Sequence, residues 1–468
     1  MNPLVLHARH FDHLIGSLSP SHKPMKRSLL LRTAVAGLLG LFATTPSQAQ
    51  TDILTDMISL RIQLRGQLLA ERTDYGAGDD RLGDRTDLRF ARFRLTMTGM
   101  FDSTYGFQIN TQSTAGTTKS GITGYSISSA DTDNNDANIR LHDAYFIANY
   151  NEKVNFKFGL TKIPMTRGNL DGCFDPLGID RSMWSFTGYG STPIKASRDI
   201  GANLWGRAFD RRVVYQLAAF QGREGFARTT HPFSGATVTS SQTPGDNLLY
   251  VGRVHLSLLD KEADGSGYQG SYLGDKKVLT FAVGFGHESD AIYKNVTSAG
   301  VVSNKETVDY NAFTADMLLD YPTASGTYTL TTAYLNVDFD DVHLTNLNPG
   351  DRLTNYGGVN GQKKGWYARA GYLFPHKFGK EGKLQPYGYY EKFDLAALSG
   401  VTEQTVTQKG LGFNYYIRGQ NVRITGEYLM NEFAKPTGFA GGRVNASNQP
   451  IDLFTENKNM RLMFQVAF

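Results

Sequence analysis

Residues 460–468 read Met-Arg-Leu-Met-Phe-Gln-Val-Ala-Phe, and this stretch constrains the fold more than any other. Met460, Leu462, Phe464, Val466 and Phe468 share one parity; Arg461, Met463, Gln465 and Ala467 share the other. Successive side chains of a strand point to opposite faces, so the pattern predicts a strand with one almost wholly apolar face. An edge strand of a soluble sandwich would read the same way. The rest of the chain has to decide.

The alternation recurs along the chain. Strands are expected at 58–70, 87–100, 104–112, 137–150, 153–162, 197–209, 212–221, 248–259, 277–287, 309–320, 327–339, 364–374, 383–394, 407–418, 421–432 and 458–468. In the first, Leu60, Ile62, Leu64 and Leu68 alternate with Arg61, Gln63, Arg65 and Gln67. Near Phe90 to Arg92 the alternation slips by one residue, which predicts a bulge. The connections give an independent test. After odd strands they are long and polar: 71–86, 113–136, 163–196, 222–247, 288–308, 340–363, 395–406 and 433–457. After most even strands they are short: 101–103, 151–152, 210–211, 321–326 and 419–420. Long extracellular loops alternating with short periplasmic turns are the mark of a transmembrane barrel. One turn, 260–276, breaks the rule by being long and Gly-rich. The fold expected is therefore all-β, a transmembrane antiparallel β-barrel of about sixteen strands. Phe464, Val466 and Phe468 then mark the closing strand and its assembly signal.

No apolar run of about eighteen residues follows the N-terminal region, which excludes helical membrane spans. That region itself has the make-up of a secretory signal peptide: Met25-Lys-Arg-Ser, an apolar segment from Leu29 to Phe42, and Pro46-Ser47-Gln48-Ala49 as an Ala-x-Ala-like site. Residues 1–49 are read as the signal peptide, with Met25 as the expected start, and 50–468 as one barrel domain exported through the Sec pathway. Without residues 1–49 the chain keeps 43 basic and 43 acidic residues, so no overall field favours nucleic acid. Any ion preference must come from local placement of charge. The single cysteine, Cys173, excludes an intrachain disulfide and a thiolate metal cage.

Lumen parity assigns nine cations to the channel wall: Arg61, Arg65, Arg92, Arg94, Lys157, Arg207, Arg253, Arg369 and Arg423. Guanidinium groups hold oxyanions through a fixed fork of donors, and rings of Arg or Lys select anions in pores. Asp199 and Glu427 share that parity and would neutralise part of the set. The third extracellular loop, 163–196, is the one expected to fold inward and narrow the channel. Trp184, Phe186 and Tyr189 would pin it to the wall, and Arg167, Arg181 and Lys195 would face solute. Tyr387, Tyr389, Tyr415 and Tyr416 offer an aromatic track of the kind a carbohydrate channel needs, or girdle residues. Asp131, Asp133, Asn135 and Asp136 lack the central Gly of a calcium loop, and no zinc spacing, phosphate-cradling loop or nucleophile elbow occurs. No metal, cofactor or catalytic set is expected. His142 and His255 read as wall residues.

With the strands in order, several short motifs line up: Arg92-Phe-Arg-Leu-Thr-Met-Thr-Gly99, Tyr105-Gly-Phe-Gln-Ile109, Leu141-His-Asp-Ala-Tyr145 and Phe158-Gly-Leu-Thr-Lys-Ile-Pro164. Arg198-Asp-Ile-Gly201, Tyr215-Gln-Leu-Ala-Ala-Phe-Gln-Gly222 and Gly412-Phe-Asn-Tyr-Tyr-Ile417 complete the set. In this series the chain resembles the phosphate-selective porin O and P family of Gram-negative outer membranes. The resemblance implies a sixteen-stranded channel, commonly trimeric, with an Arg-rich wall and an infolded third loop. Its partners would be outer-membrane lipid, the barrel assembly machinery and small anionic or hydrophilic solutes. The third loop departs from the pattern, setting Arg167, Arg181 and Lys195 against Asp171, Asp175 and Asp180 instead of clustering cations. The function expected is passive diffusion of small anions such as phosphate. A general or carbohydrate-type porin, and a non-conducting barrel for adhesion or assembly, are the alternatives.

Overall fold

The structure is a computed structural model. It describes residues 51–54, 58–74, 85–115, 138–182, 197–222, 227–230, 237–240, 247–262, 267–293, 295–297, 306–339, 343–345, 363–398, 401–438 and 453–468. The expected signal peptide, the acidic run from Asp131 to Asp136, and Trp184, Phe186, Tyr189 and Lys195 lie outside these residues.

Sixteen strands form the wall. They are β1 (Ser59–Asp74), β2 (Arg85–Met100), β3 (Tyr105–Ala115), β4 (Asn138–Asn149), β5 (Asn155–Lys162), β6 (Arg198–Ala208), β7 (Val213–Phe220) and β8 (Leu249–Ser257). The second half comprises β9 (Val278–Tyr293), β10 (Thr307–Thr323), β11 (Gly326–Asp338), β12 (Lys363–Leu373), β13 (Lys383–Leu398), β14 (Val401–Arg418), β15 (Val422–Gly438) and β16 (Leu453–Ala467). Each pairs antiparallel with its sequence neighbours. The ring closes where β1 meets β16, with Arg65 opposite Ala467 and Asp74 opposite Lys458. Closure leaves the wall no open edge, which hydrocarbon would not tolerate. A short strand, Thr51–Leu54, doubles back antiparallel on the start of β1.

The wall is apolar outside and polar inside. Along β16, Met460, Leu462 and Phe464 are 64%, 53% and 45% exposed, while Arg461, Met463 and Gln465 are 6%, 0% and 0% exposed. The expected facing of the last strand therefore holds, with Phe464 and Phe468 on the outer surface. Phe158, Ile200, Leu217, Phe285, Phe313 and Leu411 continue that outer band. Inside, at the end away from the short turns, Phe220, Leu249, Leu335, Phe393, Val406 and Phe433 form an apolar cluster with Ile163 and Met165 at the base of the third loop.

Two bulges aim side chains at one part of the lumen. Gln67 pairs with Arg92 and Leu68 with Phe90, so Ala91 is the extra residue that the slipped alternation announces. The other lies on β4, where Asn110 pairs with Asp143 and Thr111 with Leu141, leaving His142 between them. Both His142 and Asp143 turn inward as a result, which alternation alone forbids. The expected loop 395–406 is not a loop. β13 and β14 pair on to Leu398 opposite Val401, leaving a two-residue connection. Its small and polar residues hid two strand ends whose cross-strand hydrogen bonds continue the ladder.

Candidate functional site

The third loop enters the barrel directly after β5. Ile163-Pro164-Met165 leads into a single helical turn, α1 (Arg167–Leu170), capped by Thr166, whose hydroxyl accepts from Asn169 N at 3.1 Å. Asn169 Nδ2 donates to the carbonyls of Ile163 and Ser197, both at 2.7 Å, and so ties the two ends of the loop together. The path beyond lies along the inner wall. Phe174 O accepts from Gln465, Pro176 O from Arg423, Leu177 O from Asn414 and Cys173 O from Gln67. Asp180 receives Arg92 at 2.9 Å and Arg461 at 2.7 Å, and Ser182 donates to Glu391 at 2.7 Å. Glycines leave room for this backbone: a Cβ on Gly284 of the wall would overlap the Met165 carbonyl, and one on Gly270 of the β8–β9 connection would overlap the Leu177 amide. The described part of the loop thus lies against the wall from β8 round to β16 and on to β1 and β2.

A cavity of about 300 Å³ remains between the loop and β1 to β7. Arg61 and Arg65 of β1, Arg94 of β2, Lys157 and Lys162 of β5, and Arg198 of β6 line it, against one lining carboxylate, Asp143. Arg198 Nε donates to Asp143 at 2.8 Å, and its buried Nη2 has no partner among the described residues. Arg65 reaches Asp175 at 3.4 Å, and its buried Nε has none among them either. Arg94 donates to Gln112, to His142 Nε2 at 2.9 Å and to the Cys173 sulfur at 3.2 Å. Lys162 caps the carbonyls of Leu170 and Asp171 at 3.0 and 3.2 Å. Lys157 lies over the rings of Tyr145 and Trp205 at 5.6 and 5.8 Å. Arg94, Lys157 and Lys162 thus meet partners other than carboxylates among the described residues, and their field reaches the cavity. Basic groups of the cavity, Arg94 and Lys162, and others outside it, Arg92 and Arg181, surround the loop thiol. Burial alone would push Cys173 up, but Arg181, Arg94, Arg92 and Lys162 outweigh burial and hold it well below the usual thiol range.

Of the nine wall cations read from parity, four meet in this cavity: Arg61, Arg65, Arg94 and Lys157. The others lie elsewhere. Arg92 is held by Gln67 and Asp180. Arg253 pairs with Asp316 at 2.7 Å and donates to Met165 O, under the loop. Arg369 pairs with Glu391, and Arg423 is tied to the Pro176 and Gln420 oxygens. Arg207 stacks on Trp205 at 5.0 Å toward the short-turn end. Glu427 neutralises Arg461, not Arg423, and Asp199 accepts from the amides of Ile200 and Gly222. Of the loop cations, Arg167 and Arg181 do not point at a passage either. Arg167 is 1% exposed and turned to Glu262, and Arg181 donates to the Asn169 and Asp171 carbonyls. The tyrosines form no track, because Tyr387 and Tyr389 both donate to Glu427 while Tyr415 bonds Phe378 O. Parity missed Lys162 and Arg198. Both sit where a strand leaves the ladder for the loop, and alternation carries no information there.

Comparison with known proteins follows the same line. Residues 62–438 match the family described as phosphate-selective porin O and P. This chain belongs to that family. It is an outer-membrane porin, and both family and fold point to a channel rather than an enzyme. An uncharacterized protein of Aquifex aeolicus (strain VF5) is 21% identical over 380 residues, covering 78% of this chain and 80% of its own. The anion-selective porin from Comamonas acidovorans is 11% identical with a TM-score of 0.48, covering 88% of this chain and 100% of its own. The outer-membrane channel DcaP of Acinetobacter baumannii is 12% identical with a TM-score of 0.48, covering 89% of this chain and 100% of its own.

Proposed function

We propose that this porin is a passive channel for small anions, phosphate among them, with the basic cavity beside the third loop as its selective passage. One observation carries the reading: six cations and one carboxylate line a single cavity of about 300 Å³. In such a narrow, partly desolvated space a cation pays twice, through repulsion and through lost hydration, while an anion exchanges its water for fixed donors. The guanidinium groups that line the cavity, Arg65 among them with a quarter of its side chain exposed, supply those donors. Family membership carries a homotrimer and the barrel assembly machinery into the same proposal, and cross-linking in isolated outer membranes tests the trimer.

Planar-bilayer recording of the purified protein across a potassium chloride gradient tests the selectivity. The expected result is stable open steps with a reversal potential near that of chloride, and a drop in chloride current when phosphate is added. A reversal potential near zero or on the potassium side would return the protein to the general porins. No open steps in a folded barrel would favour an adhesion or assembly role.

A further inference from the structure

The connection between β8 and β9 sits at the end where the other connections are short, yet it does not stay at the rim. It turns into the lumen and binds the third loop from below. Arg167 of the loop meets Glu262 of this turn through two parallel bonds, Nη1 to Oε2 at 3.0 Å and Nη2 to Oε1 at 2.8 Å. The same guanidinium donates to Gln269 O at 3.1 Å and lies 5.1 Å over the Tyr268 ring. The backbones join as well. Gly172 N donates to Tyr268 O at 2.9 Å, Gly267 N to Leu170 O at 3.0 Å and Gly270 N to Asp175 O at 2.8 Å.

The turn is itself anchored to the wall. Glu262 accepts from Tyr272 at 2.8 Å and from Thr280 at 2.9 Å, and Asp320 accepts from the Tyr272 amide and the Ser271 hydroxyl. Tyr268 stacks on His255 of β8 at 5.0 Å. Gly267, at the tip, lines the basic cavity. Besides its ties to the wall, the loop is therefore gripped from Arg167 to Asp175 by an element from the opposite end of the barrel.

We infer that the β8–β9 turn is a second constriction element and that Arg167–Glu262 is the latch joining it to the third loop, with Glu262 the positioning residue that fixes the width of the passage. This rests on the channel reading above, in which the cavity between loop and wall conducts. Glu262 touches no solute, since it is buried behind the loop. Its role is to hold Arg167. A bidentate buried pair is the interaction whose loss a static wall cannot compensate.

Single-channel conductance of three variants in bilayers tests the latch: Arg167→Ala, Glu262→Ala and the charge exchange Arg167→Glu with Glu262→Arg. Both single variants should raise conductance, by about two-fold or more, as the loop and turn separate. Their effects on selectivity should have opposite signs. Glu262→Ala removes a carboxylate from beside Arg167, Asp171 staying at 3.5 Å, and strengthens anion preference, whereas Arg167→Ala removes the cation between them and weakens it. The exchange variant should return conductance toward that of the wild type. Conductance of both single variants equal to wild type would overturn the latch, whatever the wild-type selectivity. A wild type without anion preference would instead overturn the proposed function and leave the conductance comparison standing. Hydrogen exchange on the folded barrel in detergent gives a second readout if insertion is poor: the Gly172 and Gly267 amides should lose protection in either single variant, and unchanged protection would equally overturn the latch.

Discussion

The two sides of the lumen carry the same residue types and do opposite things with them. From β10 to β16 every arginine described above meets an acid or a loop carbonyl: Arg369 with Glu391, Arg461 with Glu427 and Asp180, and Arg423 with Pro176 O. That side holds the loop. From β1 to β6, Arg65 and Arg92 also meet loop carboxylates, Asp175 and Asp180, but Arg94, Lys157 and Lys162 meet amide, imidazole, ring and carbonyl partners, and Arg198 shares Asp143, the one lining carboxylate among the described residues. That side keeps its field for whatever enters. Facing the lumen is thus no guide to a cation's role. The deciding feature is whether a carboxylate lies within reach across the strands.

The sharpest way to break this contrast is to neutralise each side separately. Replacing Arg61, Arg65, Arg94 and Lys157 together with Gln should lower the anion-to-cation permeability ratio roughly ten-fold in bilayer recordings. Replacing Arg253, Arg369 and Arg423 should leave that ratio within about two-fold, because their charge is already cancelled or spent on the loop. Equal effects from the two sets would erase the distinction.

Stability should show the reverse order. Arg369→Ala strands the buried Glu391 carboxylate and should cost about 3 kcal/mol or more, read as earlier unfolding in heat-modifiable gel mobility or urea titration. Loss of Lys157 should cost far less, since it lies over the Tyr145 and Trp205 rings and strands no carboxylate among the described residues.

A smaller effect should come from acid. Burial alone would raise Glu262, but Arg167 outweighs burial and holds it down to about 2, below its ordinary 4.5. A depressed carboxyl contributes stability that is complete above the unfolded value and fades as pH falls through the folded one. The latch should therefore keep conductance steady from neutral pH to about 4.5 and release it between about 4.5 and 2. Release near neutral pH would mean that the pair is not what holds the loop. The smallest expected change is at the exposed Lys409–Glu432 pair, where Lys409→Ala should leave both unfolding and selectivity unaltered.

The wall of the barrel was legible in the chain because period-two alternation records facing directly, as in Met460 to Phe468 and in the slip at Ala91. What alternation cannot record is position around the ring. Arg94 and Arg369 have the same local pattern, and only register places Glu391 beside one and His142 beside the other. The bulge that turns His142 inward leaves no trace in the neighbouring apolar residues. Lys162 and Arg198 escaped for a related reason, since each lies at a strand end where the chain is leaving the sheet. The long turn 260–276 was visible as an exception to the loop rule, but its destination depended on Glu262 finding Arg167, 95 residues away.

Cys173 allows the central claim to be tested in the native chain. It lines the basic cavity and is the one cysteine of the sequence, so a thiol reagent that enters the passage has a single target. The measurement is the rate at which an anionic and a cationic methanethiosulfonate of similar size reduce the current through a single reconstituted channel. A cavity with this excess of positive charge should admit the anionic reagent about ten-fold faster or more, and the advantage should shrink as salt is raised. Equal rates, or faster block by the cation, would contradict the assignment of this cavity as the anion passage.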